Sequence, residues 1–248
     1  MPRIFVTREQ VTGGSLLLEG DQARHLAGPL RLQAGATIQV VDDGGREHGV
    51  HVLAVESGRV IGSILWTRPA AGEPRLHLEV VHAMIREMDE VVAALAEVGA
   101  VAIRPFQARR SVTRPDAERV AARLRRWGMI ARESAQLANR AAIPVVHSVT
   151  GLEEALASLP PGGRVLACAI DAAHPLAQLD IDPALPLALV IGPEGGLEDA
   201  EIGTLLGAGA ETAHLGARVL PARRAALVAA GIVLARSGDL DTTQPPVP

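Results

Sequence analysis

From residue 76 onward, short apolar runs alternate with segments whose apolar residues recur at helical spacing. The strand-like runs are Leu76–His82, Val101–Pro105, Val165–Ile170 and Leu187–Ile191. The helical segments are Glu87–Val98, Asp116–Asn139, Leu152–Ser158, Glu198–Leu206 and Ala222–Arg236. Continuous apolar runs are typical of strands that are buried on both faces. The alternation therefore predicts an α/β domain with a parallel sheet covered by helices on both sides.

The first 66 residues have a different rhythm and predict a small β barrel. Four short strand candidates lie at Ser15–Leu18, Thr37–Val41, Gly49–Val55 and Arg59–Leu65. A short helix is expected from an Asp21 N-cap to Gly28-Pro29, and the turn Asp42–Gly45 indicates a hairpin. The Pro/Gly-rich stretch Thr67–Pro74 has the composition of a linker. We therefore expect domains at 1–68 and 75–240, with a disordered tail at 241–248.

Composition excludes several classes of protein. A chain of 248 residues that is 48% hydrophobic and 21% charged is poorly suited to intrinsic disorder. The lone cysteine, Cys168, excludes an intramolecular disulfide, and no His/Asp/Glu spacing resembles a metal site. The amino terminus lacks the apolar stretch of a signal peptide, and no window approaches 18 uncharged apolar residues. We expect a cytoplasmic protein without a membrane partner.

The basic residues are unusual in kind and in distribution. All 24 are arginine, whose planar fork suits phosphate. Residues 104–140 hold ten arginines against three acidic residues, a net of +7, which leaves −11 for the rest of a chain whose total is −4. Arg119, Arg123 and Arg126 recur at helical spacing and form one basic stripe. The stretch is compatible with a phosphate-binding surface or with a solvated helix face.

Two glycine-bearing loops are candidates for a ligand site. The first follows the strand candidate at 187–191, and its glycines allow a close backbone approach to a ligand. The acidic first turn of the next helix would repel phosphate, so an uncharged or cationic ligand fits better. A structural turn is the alternative interpretation. The residues are Ile191, Gly192, Pro193, Glu194, Gly195 and Gly196 in the first loop, and Leu215, Gly216, Val219 and Leu220 in the second.

These loops carry a family resemblance. IGPEGG at 191–196, followed by LGARVL at 215–220, resembles the paired signature of the RsmE family within the SPOUT methyltransferases. PRIFV at 2–6 and His25–Arg31 are similar to the family's amino-terminal PUA-like barrel. Glu97-Val98-Gly99 with Pro105 and Arg109, and then Arg140 with Pro144, are similar to its central motifs. The resemblance extends across nearly the whole chain.

The resemblance implies an enzyme that uses S-adenosylmethionine to methylate N3 of a uridine in 16S ribosomal RNA. It also implies a carboxyl-terminal SPOUT domain with a deep trefoil knot, a homodimer formed through the knotted domain, and a substrate within the assembled 30S subunit. Both loops would bind the cofactor. Arg109, Arg218 and Arg223 are the candidates for stabilising the uridine anion, and Glu194 is the candidate proton acceptor. The candidate RNA-binding residues are Arg31, Arg109, Arg110, Arg119, Arg123, Arg126 and Arg140.

The chain also departs from the family pattern. Ala94 stands where the family commonly has Lys, and Gln136-Leu137 where it has Glu-Gln. The family's L-R-T-E-T-A appears as Leu220–Ala225, with Pro, Ala and two arginines inside it. A catalytically silent RNA-binding paralogue is therefore an alternative. A nucleotide-binding α/β protein unrelated to RNA is another, although it leaves the basic stretch at 104–140 unexplained.

Overall fold

A computed structural model of the chain describes residues 3–114 and 116–241 and divides into two compact units. Residues 3–73 together with 136–142 form the first unit, and residues 74–135 together with those from 143 onward form the second. The predicted linker at 67–74 is wrong in part, because the last strand of the first unit continues to Pro69. The tail predicted to be disordered lies, except for Asp241, outside the described residues.

The first unit contains a six-stranded mixed sheet. Its strands are β1 (Ile4–Val6), β2 (Val11–Thr12), β3 (Ser15–Glu19), β4 (Thr37–Asp42), β5 (Arg46–Glu56) and β6 (Arg59–Pro69), in the order β1-β4-β5-β6-β3-β2. Only the β1–β4 pair is parallel. The two edge strands, β1 and β2, are joined by a step of five residues, which spans at most about 17 Å. The sheet must therefore curl until its edges approach, as the barrel prediction requires.

A buried aspartate shapes the β4–β5 hairpin that the turn signal predicted. Asp42 accepts hydrogen bonds from the backbone N–H groups of Gly44 (2.8 Å) and Arg46 (3.0 Å), and its second oxygen lies 3.0 Å from His48 Nε2. Burial alone would raise the pKa of Asp42, but these hydrogen bonds outweigh it and lower the pKa. The short helix α1 (Gly20–Ala27) has Glu19 at its N-cap. The predicted N-cap, Asp21, is therefore wrong by two residues and lies in the first turn of the helix.

The second unit contains a six-stranded sheet in which every paired strand is parallel. The strands are β7 (Leu78–Ala83), β8 (Ala102–Phe106), β9 (Val145–Val146), β10 (Arg164–Cys168), β11 (Leu187–Ile191) and β12 (Glu211–Ala213), in the order β12-β10-β11-β7-β8-β9. The predicted parallel sheet is confirmed. The short strands β9 and β12 were not predicted, because two or three residues are too few to show a period.

Helices cover both faces of this sheet, as the apolar runs predicted. They are α2 (Met88–Val98), α3 (Ala117–Leu137), α4 (Leu152–Ala157), α5 (Asp199–Gly207) and α6 (Ala222–Arg236). Leu189 and Ile191 of β11 pack in one core cluster with α2, α3 and α6, whereas Val190 packs in the other with α4 and α5. Successive residues of a strand point to opposite faces, so β11, which is buried on both faces, is apolar at every position.

A buried ion pair fastens residues 136–142 within the first unit. The guanidinium group of Arg140 donates to both carboxylate oxygens of Glu73, with Nε 3.2 Å from Oε1. The same carboxylate accepts from the backbone N–H groups of Ala141 (2.8 Å) and Ala142 (3.1 Å). Only 3% of the Arg140 side chain is exposed. The prediction that Arg140 binds RNA is therefore corrected: its charge is buried and paired.

We expect Arg140→Met to destabilise the first unit by about 3 kcal/mol, because it leaves the Glu73 carboxylate without its cation. Trp66 lies in the first unit and Trp127 in the second. Urea unfolding followed by Trp66 fluorescence in a Trp127→Phe background measures the effect. Arg125→Met, at an exposed position of α3, is the matched control and should change stability by less than about 0.5 kcal/mol. Equal effects of the two variants would contradict the anchoring role.

Candidate functional site

Because all six strands are parallel, a connecting segment leaves the carboxyl edge of the sheet after each of them, from β7 to β12. The two candidate ligand loops follow β11 and β12, which are not neighbours in the sheet, since β10 lies between them. Two strand spacings, about 10 Å, separate the points where the loops begin. This edge is where parallel α/β sheets commonly bind ligands.

The loop after β11 is built around a tight turn. The N–H of Gly196 donates to Pro193 O at 2.9 Å, so Glu194 and Gly195 occupy the exposed tip. Gly196 has φ +72°, which side chains other than glycine rarely tolerate. A Cβ on Gly195 would lie 3.5 Å from Arg110 side-chain atoms, an ordinary contact. Backbone conformation therefore makes glycine necessary at 196 rather than at 195.

The loop after β12 is more open. Gly216 has φ +99°, and its N–H donates to His214 Nδ1 at 3.1 Å. Leu215 and Leu220 are half-buried, Arg218 is exposed, and the Val219 side chain is 76% exposed. The loop therefore presents apolar and cationic side chains to the solvent.

The sequence prediction missed a third loop, which follows β10. Its residues are joined to β12 and its loop: Ala169 N–H donates to Ala213 O (3.0 Å), and Leu176 N–H to His214 O (2.9 Å). Cys168, at the end of β10, is paired in register with Ile191 on one side and Ala213 on the other. Burial raises the pKa of the Cys168 thiol to about 12. Ile170, two residues after Cys168 in this loop, is 73% exposed. The position of β10 in the strand order, a non-local property, places this loop between the other two.

A buried carboxylate joins the loop after β8 to the start of α5. Glu201 accepts from the backbone N–H of Arg109 (2.9 Å) and from that of Glu198 (2.8 Å). Arg110 Nη1 donates to Gly195 O at 2.9 Å. Both guanidinium groups face Glu198 at 3.7–3.8 Å, beyond a direct hydrogen bond, and both are more than half exposed. The structure thus brings Arg109 and Arg110 beside residues 191–196, because both loops begin at the same edge of the sheet.

His82 lies at the end of β7 and is fully buried. It is paired in register with Ile191 of β11, and its ring nitrogens lie 2.7 Å from Ala83 O and 3.4 Å from Ala222 O. Burial lowers the pKa of His82, although both carbonyls and the Glu194 charge oppose that shift. The imidazole therefore lies between the end of β7 and the start of α6, and in its neutral form it donates to one of these two carbonyls.

Two of the three arginines in the basic stripe have carboxylate partners that the sequence did not reveal. Arg119 Nε lies 3.4 Å from Asp116 Oδ2, and Arg126 Nε donates to Asp89 Oδ2 of α2 at 2.7 Å. Arg119 and Arg126 remain largely exposed, and Arg123 is half-buried. In the first unit, Arg31 is exposed, with φ +51°.

Arg223 was predicted to hold the substrate anion, but the structure gives it another environment. Its guanidinium lies 3.5 Å from Glu87 Oε1 and 3.6 Å from Glu90 Oε2, at the start of α2. These contacts connect the first turns of α6 and α2. A cation compensated by two carboxylates is poorly suited to stabilise a third negative group, so we remove Arg223 from the candidate catalytic residues.

The described residues contain no group of three or more His, Cys, Asp or Glu side chains placed to hold a metal ion. Within 3–114 and 116–241, no helix is both long and apolar enough to cross a membrane.

Comparison with known proteins identifies relatives over most of the chain. Residues 72–234 match a family model described as an RNA methyltransferase domain. The ribosomal RNA small subunit methyltransferase E of Mycobacterium bovis is 33% identical over 230 residues, which cover 90% of this chain and 87% of the relative. The Bacillus subtilis protein of the same name is 26% identical, covering 92% of this chain and 94% of the relative.

A solved structure of the Neisseria gonorrhoeae ribosomal RNA small subunit methyltransferase E, bound to S-adenosyl methionine, is also similar to this chain. It aligns with a TM-score of 0.84 and 28% identity, and covers 96% of this chain and 97% of its own. The similarity therefore includes both units of the fold.

We expect the stability of the second unit to fall as the pH drops below about 6.5. Because the pKa of His82 is lowered from its ordinary 6.5, the unfolded chain takes up a proton in this range that the folded chain does not. The contribution is fully present above pH 6.5 and is lost toward the lowered pKa, with a slope of up to about 1.4 kcal/mol per pH unit. Urea unfolding between pH 5 and 8, followed by Trp127 fluorescence in a Trp66→Phe background, measures it.

His82→Gln should flatten this slope, whereas His25→Gln, at an exposed position of the first unit, should not. Part of the slope will persist in His82→Gln, because burial also lowers the pKa of His147. A pH profile unchanged by His82→Gln would show that the buried imidazole does not titrate as the structure requires.

Proposed function

Because the chain belongs to the RsmE family of RNA methyltransferases, within the SPOUT superfamily, we propose that it transfers a methyl group from S-adenosylmethionine to N3 of a uridine in 16S ribosomal RNA. The assembled 30S subunit is the proposed substrate. One observation carries the proposal: the same fold, over 96% of the chain, as a relative named as a ribosomal RNA small subunit methyltransferase and solved with S-adenosyl methionine. The glycine-bearing loops at the carboxyl edge of the sheet support it.

The residues of these loops fit this cofactor. Glu194 at the tip of the first loop is exposed, and no ion pair among the described residues involves it. A free carboxylate suits a sulfonium cation, whereas Glu198, Asp199 and Glu201 in the following turn disfavour a nucleotide phosphate. No atom lies within 4 Å of a Cβ placed on Gly196 or Gly216, so both backbones have open space beside them.

In the proposed complex, the cofactor is held by backbone groups of both loops. These groups belong to residues 191–196 in the first loop and to Leu215, Gly216, Val219 and Leu220 in the second. When bound, S-adenosylmethionine supplies an electrophilic methyl group. The chain's own contribution is chiefly positioning, because methyl transfer requires a nucleophile aligned with the bond that breaks. Leu215, Val219 and Leu220 offer the cofactor an apolar surface in this complex.

Reaction at uridine N3 requires two further contributions from the protein: a proton acceptor and cations that stabilise the uridine anion. Its N3 proton must leave before the lone pair can attack, and Glu194 is the proposed acceptor. Negative charge then develops on the uracil oxygens, and Arg109 and Arg218 are the proposed cations that stabilise it. Arg109 is fixed at its backbone by Glu201, whereas its exposed guanidinium lies 3.8 Å from Glu198 and keeps donors available.

For RNA binding we propose Arg109, Arg110, Arg119, Arg123 and Arg126 in the second unit and Arg31 in the first. Arginine forks rather than aromatic stacking would hold the RNA, because the chain has only two Phe, two Trp and no Tyr. The trefoil knot, the homodimer and the domain limits inferred from the sequence stay predictions.

A second candidate function is an RNA-binding protein that transfers no methyl group. The observation in its favour is the altered segment Leu220–Ala225, in which Arg223 is occupied by Glu87 and Glu90. Such a protein would retain both loops and the exposed arginines. It would differ from the enzyme in turnover alone.

The decisive experiment is methyl transfer to 30S subunits isolated from a strain that lacks this gene. Purified protein and methyl-labelled S-adenosylmethionine should label 16S RNA, and mass spectrometry of the digested RNA should identify N3-methyluridine. Subunits from the parent strain, which are already modified, are the control and should accept little label. Binding of cofactor and subunits without transfer would favour the silent paralogue, and a different methylated nucleoside would contradict the N3 assignment.

We expect Gly196→Ala to weaken S-adenosylmethionine binding about tenfold, because a Cβ at φ +72° costs about 1–2 kcal/mol and shifts the loop. Gly195→Ala is the matched control one residue away. Its Cβ meets Arg110 at an ordinary 3.5 Å, so affinity should change less than about twofold. Calorimetry with the cofactor alone measures both. Equal affinities for the two variants would remove the backbone at 196 from the site.

We expect the change of Arg119, Arg123 and Arg126 to Gln to lower the salt dependence of RNA binding. For each phosphate that no longer has an arginine partner, the log–log salt slope should fall by about 0.7–0.9. A control triple variant, with Gln at Arg75, Arg164 and Arg236, removes the same charge from other parts of the second unit. Filter binding to unmethylated 30S subunits at several salt concentrations measures the slopes. Identical slopes in both triple variants would identify the stripe as a solvated helix face.

A further inference from the structure

The loop between β8 and α3 contains a buried hydroxyl group without a partner. Ser111 is only 5% exposed, and among the described residues its Oγ is the one buried side-chain oxygen or nitrogen that makes no hydrogen bond. Its backbone N–H donates to Ala108 O at 3.1 Å, so the turn itself is complete without the side chain. An unpaired buried hydroxyl destabilises the protein that contains it.

The surroundings of Ser111 indicate what the hydroxyl binds. Arg109, Arg110 and Arg114 lie within three residues of it on the same loop, and all three are exposed. Arg109 and Arg110 lie beyond hydrogen-bonding distance of their nearest carboxylate, Glu198. A hydroxyl on the same loop as three exposed guanidinium groups belongs to a donor set that suits phosphate oxygens of RNA.

Both chain neighbours of Ser111, Arg110 and Val112, are exposed. Val112 is 91% exposed, so its side chain packs against almost nothing. One exposed contact joins the residues on either side of Ser111: Arg114 Nη2 donates to Arg109 O at 3.1 Å. A phosphate that attracts the Arg114 guanidinium would compete with this contact and free the loop on that side of Ser111.

We propose that Ser111 is an RNA-binding residue whose hydroxyl donates a hydrogen bond to a phosphate oxygen of the substrate. This inference rests on the proposed function, since it takes ribosomal RNA as the ligand. Ser111 is kept unpaired in the free protein at a cost in stability, and it gains its partner when RNA engages the loop. Stability and binding therefore make opposite demands on this side chain.

Ser111→Ala tests the proposal, because the variant should gain stability and lose RNA affinity. The melting temperature should equal or exceed that of the wild type, while affinity for unmethylated 30S subunits falls about tenfold. Affinity for S-adenosylmethionine should not change. The salt slope should also persist, since a neutral hydroxyl releases no counterion.

Ser237→Ala is the matched control. Ser237 is also buried, but its Oγ already donates to Leu234 O at 2.9 Å. This variant should lose stability or keep it, without a change in RNA affinity. A Ser111→Ala protein that is less stable than the wild type and binds RNA equally well would show that the hydroxyl is structural and would overturn the proposal.

Binding to poly(C) distinguishes a phosphate contact from a base contact. A phosphate contact weakens binding to every sequence when it is removed, so Ser111→Ala should bind poly(C) less tightly by a similar factor. A loss confined to 30S subunits would assign the hydroxyl to a base and overturn the phosphate assignment. Failure of the proposed function is separately visible: the wild type itself would then transfer no methyl group to 30S subunits.

Discussion

The common direction of six strands is the constraint on which the second unit depends. Parallel strands place all their carboxyl ends at one edge, so segments far apart in sequence meet there without any direct pairing between them. His82, Arg109, Cys168, Ile191 and Ala213 lie at or just beyond the ends of five different strands. Most strand residues are apolar on both faces, the buried Glu79–Arg104 ion pair between β7 and β8 being an exception, and the loops carry the polar groups of the candidate site. Stability and function are thus divided between the sheet and its edge.

Glu201 fixes the loop after β8 to the start of α5 at this edge of the sheet. A carboxylate that accepts two backbone N–H groups, from Arg109 and Glu198, holds main chain rather than side chains. The guanidinium groups of Arg109 and Arg110 therefore remain available, although the loop that carries them is anchored. Arg110 connects directly to the glycine-rich turn, through Gly195 O. Contacts with RNA at these arginines would consequently act close to the backbone that is proposed to hold the cofactor.

Local pattern was sufficient for much of this fold. The bounds predicted for β11 (Leu187–Ile191) and α6 (Ala222–Arg236) match the structure, because each has a strong apolar period or run. Pairings between distant residues were not predictable: Glu73 and Arg140 are 67 residues apart, and nothing near either one marks the other. The place of β10 in the sheet was missed for the same reason. Candidate loops were found by their glycines, whereas the Ser111 hydroxyl gave no signal in the sequence.

The environment of Cys168 makes the chain convenient for site-specific labelling. It is the only cysteine, and with a pKa of about 12 almost none of it is thiolate at neutral pH. Maleimides and similar reagents attack thiolates, so the native residue competes poorly with a cysteine introduced on the surface. Fluorophores or spin labels placed singly on the loops at the carboxyl edge would report on each loop separately. The native side chain could stay in place, and the packing between the ends of β11 and β12 would be undisturbed.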